Sequence, residues 1–235
     1  MIKRPSPNFD ERPEGVPIDI LLLHYTGMAS AEAALARLCD TVARVSAHYV
    51  IGEDGTLWRL VDERLRAWHA GTAYWRGARD VNARSIGIEL VNPGHEFGFR
   101  PFPEVQIEAL INLAKVLLTR HPIPPERVLG HSDVAPARKT DPGELFDWAR
   151  LARAGIGLWP DDRRLRDRRL PDLAHLQRGL ARFGYEVAES GEPDEATRLS
   201  VAAFQRHFRP ACIDGRPDAE TASRLEALLA HLPDA

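Results

Sequence analysis

The sequence predicts an α/β (α+β) fold: a central mixed β-sheet flanked by helices, followed by a small C-terminal three-helix bundle. Short apolar runs rich in branched residues alternate with stretches of helical periodicity over the first two thirds of the 235 residues. A segment of alternating Arg and Asp between prolines then interrupts this pattern, which is typical of a linker. We therefore expect one domain over residues 1–160, a linker over 161–172 and a helical domain over 173–235.

The first predicted strand covers residues 16–23 (VPIDILLL), a short apolar run that ends at His24. Its length and branched side chains favour a buried strand over a helix. Ser30 is a suitable N-cap for the helix that follows. Residues 48–51 and 56–61 then flank an Asp-Gly pair, and two β-type runs around such a pair predict a hairpin.

Residues 85–91 (SIGIELV) form the next predicted strand, and their alternation places Ile88 and Leu90 on one face and Glu89 on the other. A carboxylate buried in an apolar strand costs several kcal/mol unless it is paired or faces a polar cleft. We therefore expect Glu89 to be a functional carboxylate at a cleft. The alternative is a carboxylate on the solvated face of an edge strand.

The last part of the predicted sheet domain alternates helix and strand. Residues 103–120 open with proline and carry apolar residues at helical spacing, which predicts a long helix. Residues 128–130 form a short strand that ends at His131, and a polar loop over 132–143 follows it. A helix is expected near residues 145–154.

The C-terminal region contains an internal repeat. The segment GEPDEAT at 191–197 recurs as GRPDAET at 215–221. In each copy an aspartate, Asp194 or Asp218, can cap the start of a helix. Together with a helix over residues 173–183, the repeats predict a bundle of a size that can fold alone, though marginally.

Composition excludes several classes of protein. The formal net charge of −3 is too small to predict a nucleic-acid partner, and no stretch approaches the roughly 20 apolar residues of an integral membrane segment. The two cysteines exclude a cysteine-rich structural metal site. The N-terminus lacks the apolar segment of a secretory signal, so we expect a cytoplasmic protein, or a periplasmic or cell-envelope one if a leader was removed. Oligomeric state stays open.

His24, His131 and Asp141 lie at the ends of predicted strands or in the polar loop after one, where a rigid scaffold presents side chains to a cleft. Two neutral imidazoles and one carboxylate leave the fourth tetrahedral position of zinc for water, as in catalytic sites. Such a site permits amide hydrolysis at neutral pH. Spacing alone leaves open the alternative that both histidines are ordinary strand-end residues.

Lys139 lies two residues before Asp141. A lysine at this position can project beside a metal as the cation that stabilises a developing oxyanion. A solvated loop lysine is the alternative.

Six ordered segments resemble one known family. They are LLLHYTGM (21–28), VSAHYVIGEDG (45–55), AWHAG (67–71), SIGIELVNPG (85–94), GHSDVAPARKTDPG (130–143) and LFDWARLARAGIGLWPD (145–161). The sequence resembles the AmpD/AmiD type of zinc N-acetylmuramoyl-L-alanine amidase, and it is more similar to the AmiD branch. The tail resembles a small peptidoglycan-binding domain, with a merely stabilising helical appendage as the alternative.

The resemblance implies hydrolysis of the amide bond between N-acetylmuramic acid, or its 1,6-anhydro form, and L-alanine in peptidoglycan or muropeptides, for cell-wall turnover or recycling. It implies one zinc ion per chain on His24, His131 and Asp141, with Glu89 and Lys139 as catalytic residues. Some relatives carry a catalytic tyrosine where this chain has Ala47. A non-catalytic peptidoglycan-recognition protein of the same fold is the alternative function.

Seven further residues are candidate substrate contacts. They are Tyr25, His48, Trp68, His69, Tyr74, Trp75 and Asn82. The aromatic residues among 68–75 lie in a glycine-containing loop, and exposed aromatic faces suit sugar rings and peptide methyl groups. Core packing is the alternative for them, and for Trp68 it is equally favoured. His48 and His69 are expected behind the metal ligands or in the cleft wall.

Overall fold

The computed structural model describes residues 1–161 and 172–233. The strands are β1 (Ile2–Lys3), β2 (Phe9–Glu11), β3 (Ile20–Tyr25), β4 (Tyr49–Ile51), β5 (Leu57–Arg59), β6 (Leu65–Ala67), β7 (Ser85–Leu90) and β8 (Val128–Gly130). The helices are α1 (Ala31–Leu38), α2 (Val81–Arg84), α3 (Gly94–Phe97), α4 (Glu104–Arg120), α5 (His131–Val134), α6 (Trp148–Arg153), α7 (Leu173–Phe183), α8 (Glu195–Phe208) and α9 (Ala219–Leu229), with a 3₁₀ turn at Pro125–Arg127. The expected linker, 161–172, lies outside the described residues except at its two ends.

Six strands form one sheet in the order β1-β5-β4-β7-β3-β8. Strand β3 pairs in parallel with both β7 and β8, β4 pairs in parallel with β7, and β5 runs antiparallel to β4. The antiparallel β4–β5 pair is the predicted hairpin, and the predicted mixed sheet flanked by helices is confirmed. A second sheet of two strands, β2 and β6, had no signal in the sequence pattern because both strands are short and partly polar.

The face of the large sheet that packs on α4, here called the α4 face, is apolar. Leu21 and Leu23 of β3 lie in one buried cluster with Ile107, Leu110 and Leu117 of α4. Helix α4 starts directly after Pro103, as the sequence predicts. Within the described ranges, no helix is long and apolar enough to cross a membrane.

The opposite face of the sheet, here called the site face, is covered in a different way. Ile20 and Leu22 of β3 belong to a buried cluster that also contains Leu180, Phe183 and further apolar residues of the C-terminal helices. Alternation along β3 sends His24 to this same face. The predicted helices α7 to α9 are present, but their apolar side chains join the core of the sheet instead of closing only on each other.

The two copies of the C-terminal repeat share side-chain hydrogen bonds that involve residues outside the matching sequence. Asp194 and Asp218 cap α8 and α9, as predicted. Gln177 donates to Thr197 Oγ1 at 3.0 Å, and Gln205 donates to Thr221 Oγ1 at 3.2 Å. Each glutamine oxygen also accepts the backbone N–H of the glycine that opens the repeat. Each copy of the repeat is therefore held by an equivalent buried glutamine, Gln177 in the first and Gln205 in the second.

Candidate metal centre and active site

Three buried donor atoms converge where β3 and β8 end. His24 is in β3, His131 follows β8 as the first residue of α5, and Asp141 comes from the loop beyond α5. The Nδ1 atoms of His24 and His131 are 2.9 Å apart, and each is 3.1 Å from Asp141 Oδ2. These three residues form a group whose donor atoms could hold one metal ion.

A chain of hydrogen bonds behind His24 determines which of its nitrogens is free. The Ser85 hydroxyl donates to Val81 O at 2.7 Å, so its oxygen is available to His69 Nε2 at 3.4 Å. With its proton on Nε2, His69 accepts at Nδ1 from the Nε2–H of His24 over 3.1 Å. His24 Nδ1 then keeps its lone pair toward Asp141, which is the arrangement that metal-binding histidines need.

His131 is oriented from behind in a similar way. Its Nε2–H donates to the backbone oxygen of Ala70 at 3.0 Å, which leaves Nδ1 as the acceptor that faces the other two donors. Arg138 donates to the same Ala70 oxygen and to Thr72 O, each at 2.5 Å, and so fixes the loop that supplies this acceptor. Sequence reasoning missed Arg138, and its only signal was its position next to Lys139.

The charge state of the cluster suits a divalent cation. Burial, with the neighbouring His131 as a second cause, lowers the pKa of His24 to about 4. Burial would raise the pKa of Asp141, but the charge and hydrogen bonds of His131 and His24 hold it well below its usual range. At neutral pH a neutral His24 and an ionised Asp141 therefore face His131, and a buried carboxylate of this kind needs a cation. Zinc fits a donor set of two imidazoles and one carboxylate.

Glu89 borders this cluster from the adjacent strand. In the parallel pairing of β3 and β7 it lies directly opposite His24. Its Oε2 is buried and has no hydrogen-bond partner among the described residues. Burial, followed by the charge of Asp141, raises the pKa of Glu89 well above its ordinary value, although Lys139 opposes that shift. A carboxylate with a raised pKa beside a cleft is suited to accepting a proton.

One pocket of about 450 Å³ connects these groups. Its wall includes all five residues with predicted metal or catalytic roles, namely His24, His131, Asp141, Glu89 and Lys139. Of the seven candidate substrate contacts, Tyr25, Trp68 and His69 line it. The other four, His48, Tyr74, Trp75 and Asn82, do not line it. His48 lies next to His69, with the ring centroids 5.6 Å apart, and the position behind the metal ligands is one of the two that were expected for it.

His48 and Asn82 hold backbone instead of facing the pocket. His48 is fully buried, accepts from Gly87 N–H at 3.0 Å and donates toward Leu65 O at 3.1 Å. Asn82 Oδ1 accepts the backbone N–H groups of His69 and Ala70 at 3.1 and 2.8 Å. Asn82 therefore positions the loop whose residues orient both histidines of the cluster. A sequence pattern does not distinguish a polar side chain that binds backbone from one that binds a ligand.

Trp75 is turned toward the C-terminal helices, and Tyr74 contacts Arg79. Trp75 is 1% exposed and packs edge-on against Phe183 and Tyr185. Tyr74 lies under the guanidinium of Arg79, which is 5.3 Å from the ring centroid. The prediction of exposed aromatic faces fails for Trp75 because helix α7 and the residues after it cover this loop.

Gly87 of β7 leaves space for the His69 ring. A Cβ atom at this position would lie 2.6 Å from three ring atoms of His69, which is shorter than any normal contact. Since His69 Nδ1 accepts a hydrogen bond from His24 Nε2–H, the missing side chain at position 87 permits the geometry of the metal-binding residues.

A pocket that combines buried metal-type donors with an unpartnered carboxylate is typical of metal-dependent hydrolases. Residues 14–144 match the family described as N-acetylmuramoyl-L-alanine amidase, and residues 169–225 match a family described as a peptidoglycan binding domain. The chain belongs to the N-acetylmuramoyl-L-alanine amidase family.

Individual relatives agree with this assignment. The chain is 44% identical over 231 residues to N-acetylmuramoyl-L-alanine amidase AmiD of Escherichia coli, covering 90% of this chain and 82% of the relative. It is 33% identical over 163 residues to 1,6-anhydro-N-acetylmuramyl-L-alanine amidase AmpD of Haemophilus influenzae, covering 62% and 86%. The structure of E. coli AmiD bound to anhydro-N-acetylmuramic acid-L-Ala-D-gamma-Glu-L-Lys has a TM-score of 0.82 and 39% identity, covering 95% and 97%. AmpDh3 of Pseudomonas aeruginosa has a TM-score of 0.85 and 36% identity, covering 98% and 99%.

Proposed function

We propose that this chain hydrolyses the amide bond between N-acetylmuramic acid, or its 1,6-anhydro form, and L-alanine in peptidoglycan or muropeptides, using zinc. The observation that carries the proposal is the convergence of His24, His131 and Asp141 in one pocket with Glu89, whose buried Oε2 has no partner among the described residues. Two similar structures add support, since one contains an anhydromuramic tripeptide described as substrate and the other an anhydromuramic pentapeptide.

His24 and His131 would hold zinc through Nδ1 and Asp141 through Oδ2, one ion per chain. When bound there, zinc supplies an open coordination position that activates water and polarises a carbonyl. The two histidines are held in the required tautomer by His69 and by the Ala70 carbonyl. This pre-orientation reduces the cost of ordering the ligands when the ion binds.

Glu89 and Lys139 supply the remaining chemistry. Glu89 accepts a proton from the attacking water at its unpartnered Oε2 and passes it to the departing alanine nitrogen. Lys139, which lines the same pocket, stabilises negative charge on the carbonyl oxygen with its ammonium group. Because Glu89 and Lys139 line one pocket, the acid–base and oxyanion functions can be separated between two side chains.

Trp68 is the strongest candidate for a direct substrate contact. It lines the pocket, its Nε1–H donates to Asp10 Oδ2 at 2.7 Å, and the guanidinium of Arg44 is 5.6 Å from the ring centroid. A ring fixed in this way offers an apolar face to a sugar ring or a peptide methyl group. Tyr25 contributes a hydroxyl at the rim, 2.9 Å from His95 Nδ1 and 3.2 Å from Thr140 Oγ1.

The C-terminal helices would supply a second contact with the cell wall. The match of residues 169–225 to a peptidoglycan binding domain supports this function. Co-sedimentation of the intact protein with purified sacculi tests it, and an absence of sedimentation would contradict it.

The experiment for the main proposal is product analysis. The zinc-loaded protein should release peptides with a free N-terminal L-alanine from soluble anhydro-muropeptides and from intact sacculi, which mass spectrometry detects. Soluble muropeptides that differ only in the 1,6-anhydro ring would determine which form of muramic acid is preferred. Binding of muropeptides without any released peptide would contradict the proposal and favour a recognition protein.

Glu89→Gln should lower the turnover number by a factor of about 100 to 10,000, because the amide keeps the shape but cannot act as a base. Its zinc content should equal that of the wild type, since Glu89 is not assigned as a ligand. His131→Ala is the control that should lose both zinc and activity. Near-normal turnover of zinc-loaded Glu89→Gln would refute the assignment of the base.

A further inference from the structure

A buried carboxylate connects the metal-binding residues to the C-terminal region. Asp133 is 1% exposed and belongs to α5, the short helix that begins with His131. Its Oδ2 accepts the backbone N–H of Gly130, the residue directly before His131, at 2.7 Å. This bond fixes the backbone at the point where β8 ends and the histidine side chain leaves it.

The other donors to Asp133 come from the C-terminal region. Tyr185, which follows α7, donates its hydroxyl to Oδ1 at 2.7 Å. His207 of α8 donates from Nδ1 to Oδ2 at 2.7 Å. A carboxylate this deeply buried is stable only when its oxygens are hydrogen-bonded. Of the three hydrogen bonds that this carboxylate accepts from the described residues, two therefore come from the C-terminal region.

Both donors are themselves rigidly held. The Tyr185 ring packs edge-on against Trp75 at a centroid distance of 5.0 Å. The His207 ring stacks on Trp148 at 3.7 Å and on Phe208 at 3.8 Å. Because neither ring can turn without disturbing these contacts, their polar atoms stay directed at Asp133.

We infer that Tyr185 and His207 are positioning residues for the metal centre, which act on His131 through the Asp133 carboxylate. The C-terminal helices are then part of the catalytic unit in addition to any contact with the cell wall. The inference rests on the metal site proposed above. Loss of either donor should let α5 shift and should weaken zinc binding, because partners behind a metal ligand commonly change metal affinity by about tenfold or more.

The zinc dissociation constant of the full chain, measured by competition with a chelator, is the primary readout. Tyr185→Phe removes one hydroxyl and keeps the ring, and it should weaken zinc binding by about tenfold. Thr197→Val is the matched control, because it also removes one buried C-terminal hydroxyl, which accepts from Gln177 and does not contact Asp133. Thr197→Val should keep the wild-type zinc affinity even where its melting temperature falls.

Two substitutions at His207 separate hydrogen bonding from packing. His207→Phe keeps a ring between Trp148 and Phe208 but has no donor, so it should weaken zinc binding. His207→Asn loses the stack but retains an N–H donor near the position of Nδ1, so it should bind zinc more tightly than His207→Phe.

Wild-type zinc affinity in both Tyr185→Phe and His207→Phe would overturn the inference, as would an equal loss in Thr197→Val. Those results would leave the proposed function intact, provided that the wild-type protein binds zinc and releases the peptide. A wild-type chain that takes up no zinc would instead overturn the proposed metal site and the inference together.

Discussion

The two faces of the large sheet are built from neighbouring residues of the same strands, but one face is entirely core and the other also carries the pocket. On the α4 face, Leu21 and Leu23 lie in an apolar cluster with α4 and with residues of the segment around α6, including Phe146 and Trp148. On the site face, Ile20 and Leu22 are covered by helices from the other end of the chain, and His24 opens into a pocket. The α4 face is closed by segments of the sheet domain itself, whereas part of the cover of the site face comes from the C-terminal region.

The largest expected effect follows from removing that cover. A protein that ends at Asp161 would expose Trp75, Ile20 and Leu22 of the shared cluster to water. We expect it to lose cooperative thermal unfolding and to bind a hydrophobic dye. The sequence analysis instead predicted a C-terminal bundle that can fold alone, and removing such a bundle would leave the sheet domain intact. Calorimetry on the truncated and full-length proteins is the measurement. A truncated protein with an unchanged melting temperature would show that the site face needs no cover.

Two tryptophans provide a sharper comparison within the same loop. Trp75→Ala should lower the free energy of unfolding by about 3 to 5 kcal/mol, because the ring is buried between the sheet and the C-terminal helices. Trp68→Ala should change stability much less but should raise KM for muropeptides, because the ring lines the pocket. Denaturant unfolding and steady-state kinetics on both variants check this. Equal losses of stability would mean that Trp68 also belongs to the core.

A smaller effect concerns pH. Burial, with the charge of Arg12 as a second cause, lowers the pKa of His48 to about 3 from 6.5. Between these values the unfolded chain binds a proton that the folded chain does not, so the free energy of unfolding should fall as the pH drops from about 6.5 toward 3. This histidine contributes at most about 1.4 kcal/mol per pH unit.

His48→Asn tests that prediction, because its side-chain oxygen can still accept from Gly87 N–H but the residue does not titrate. The variant should be less stable than the wild type at pH 7 and should show a weaker dependence of stability on pH between 6.5 and 4.5. Parallel stability curves for the two proteins would assign the acid sensitivity to other groups.

The sequence predicted those parts of the site that depend on a single strand or on one short segment. Alternation along residues 85–91 placed Glu89 opposite the apolar face, and the strand ends placed His24 and His131 at one edge of the sheet. These patterns repeat over a few residues and follow directly from backbone geometry. The family resemblance added the ligand and catalytic roles, which no spacing rule provides.

The parts that were missed depend on contacts between distant segments. Tyr185 and His207 reach Asp133 across 52 and 74 positions, and no local pattern marks Asp133 as more than a polar residue of a loop. Trp75 looked exposed because the segment that covers it begins about a hundred residues later. The burial of a loop aromatic is therefore decided by tertiary packing, which a local pattern does not contain.

The space left by Gly87 has a consequence for how the protein tolerates change. Position 87 bears no reactive group, but an added methyl group would push on the ring of His69, and through it on His24. A substitution at this position would act through its volume and not through its chemistry. In a library of substitutions along β7, Gly87 should be among the positions where a substitution lowers activity most, together with Glu89.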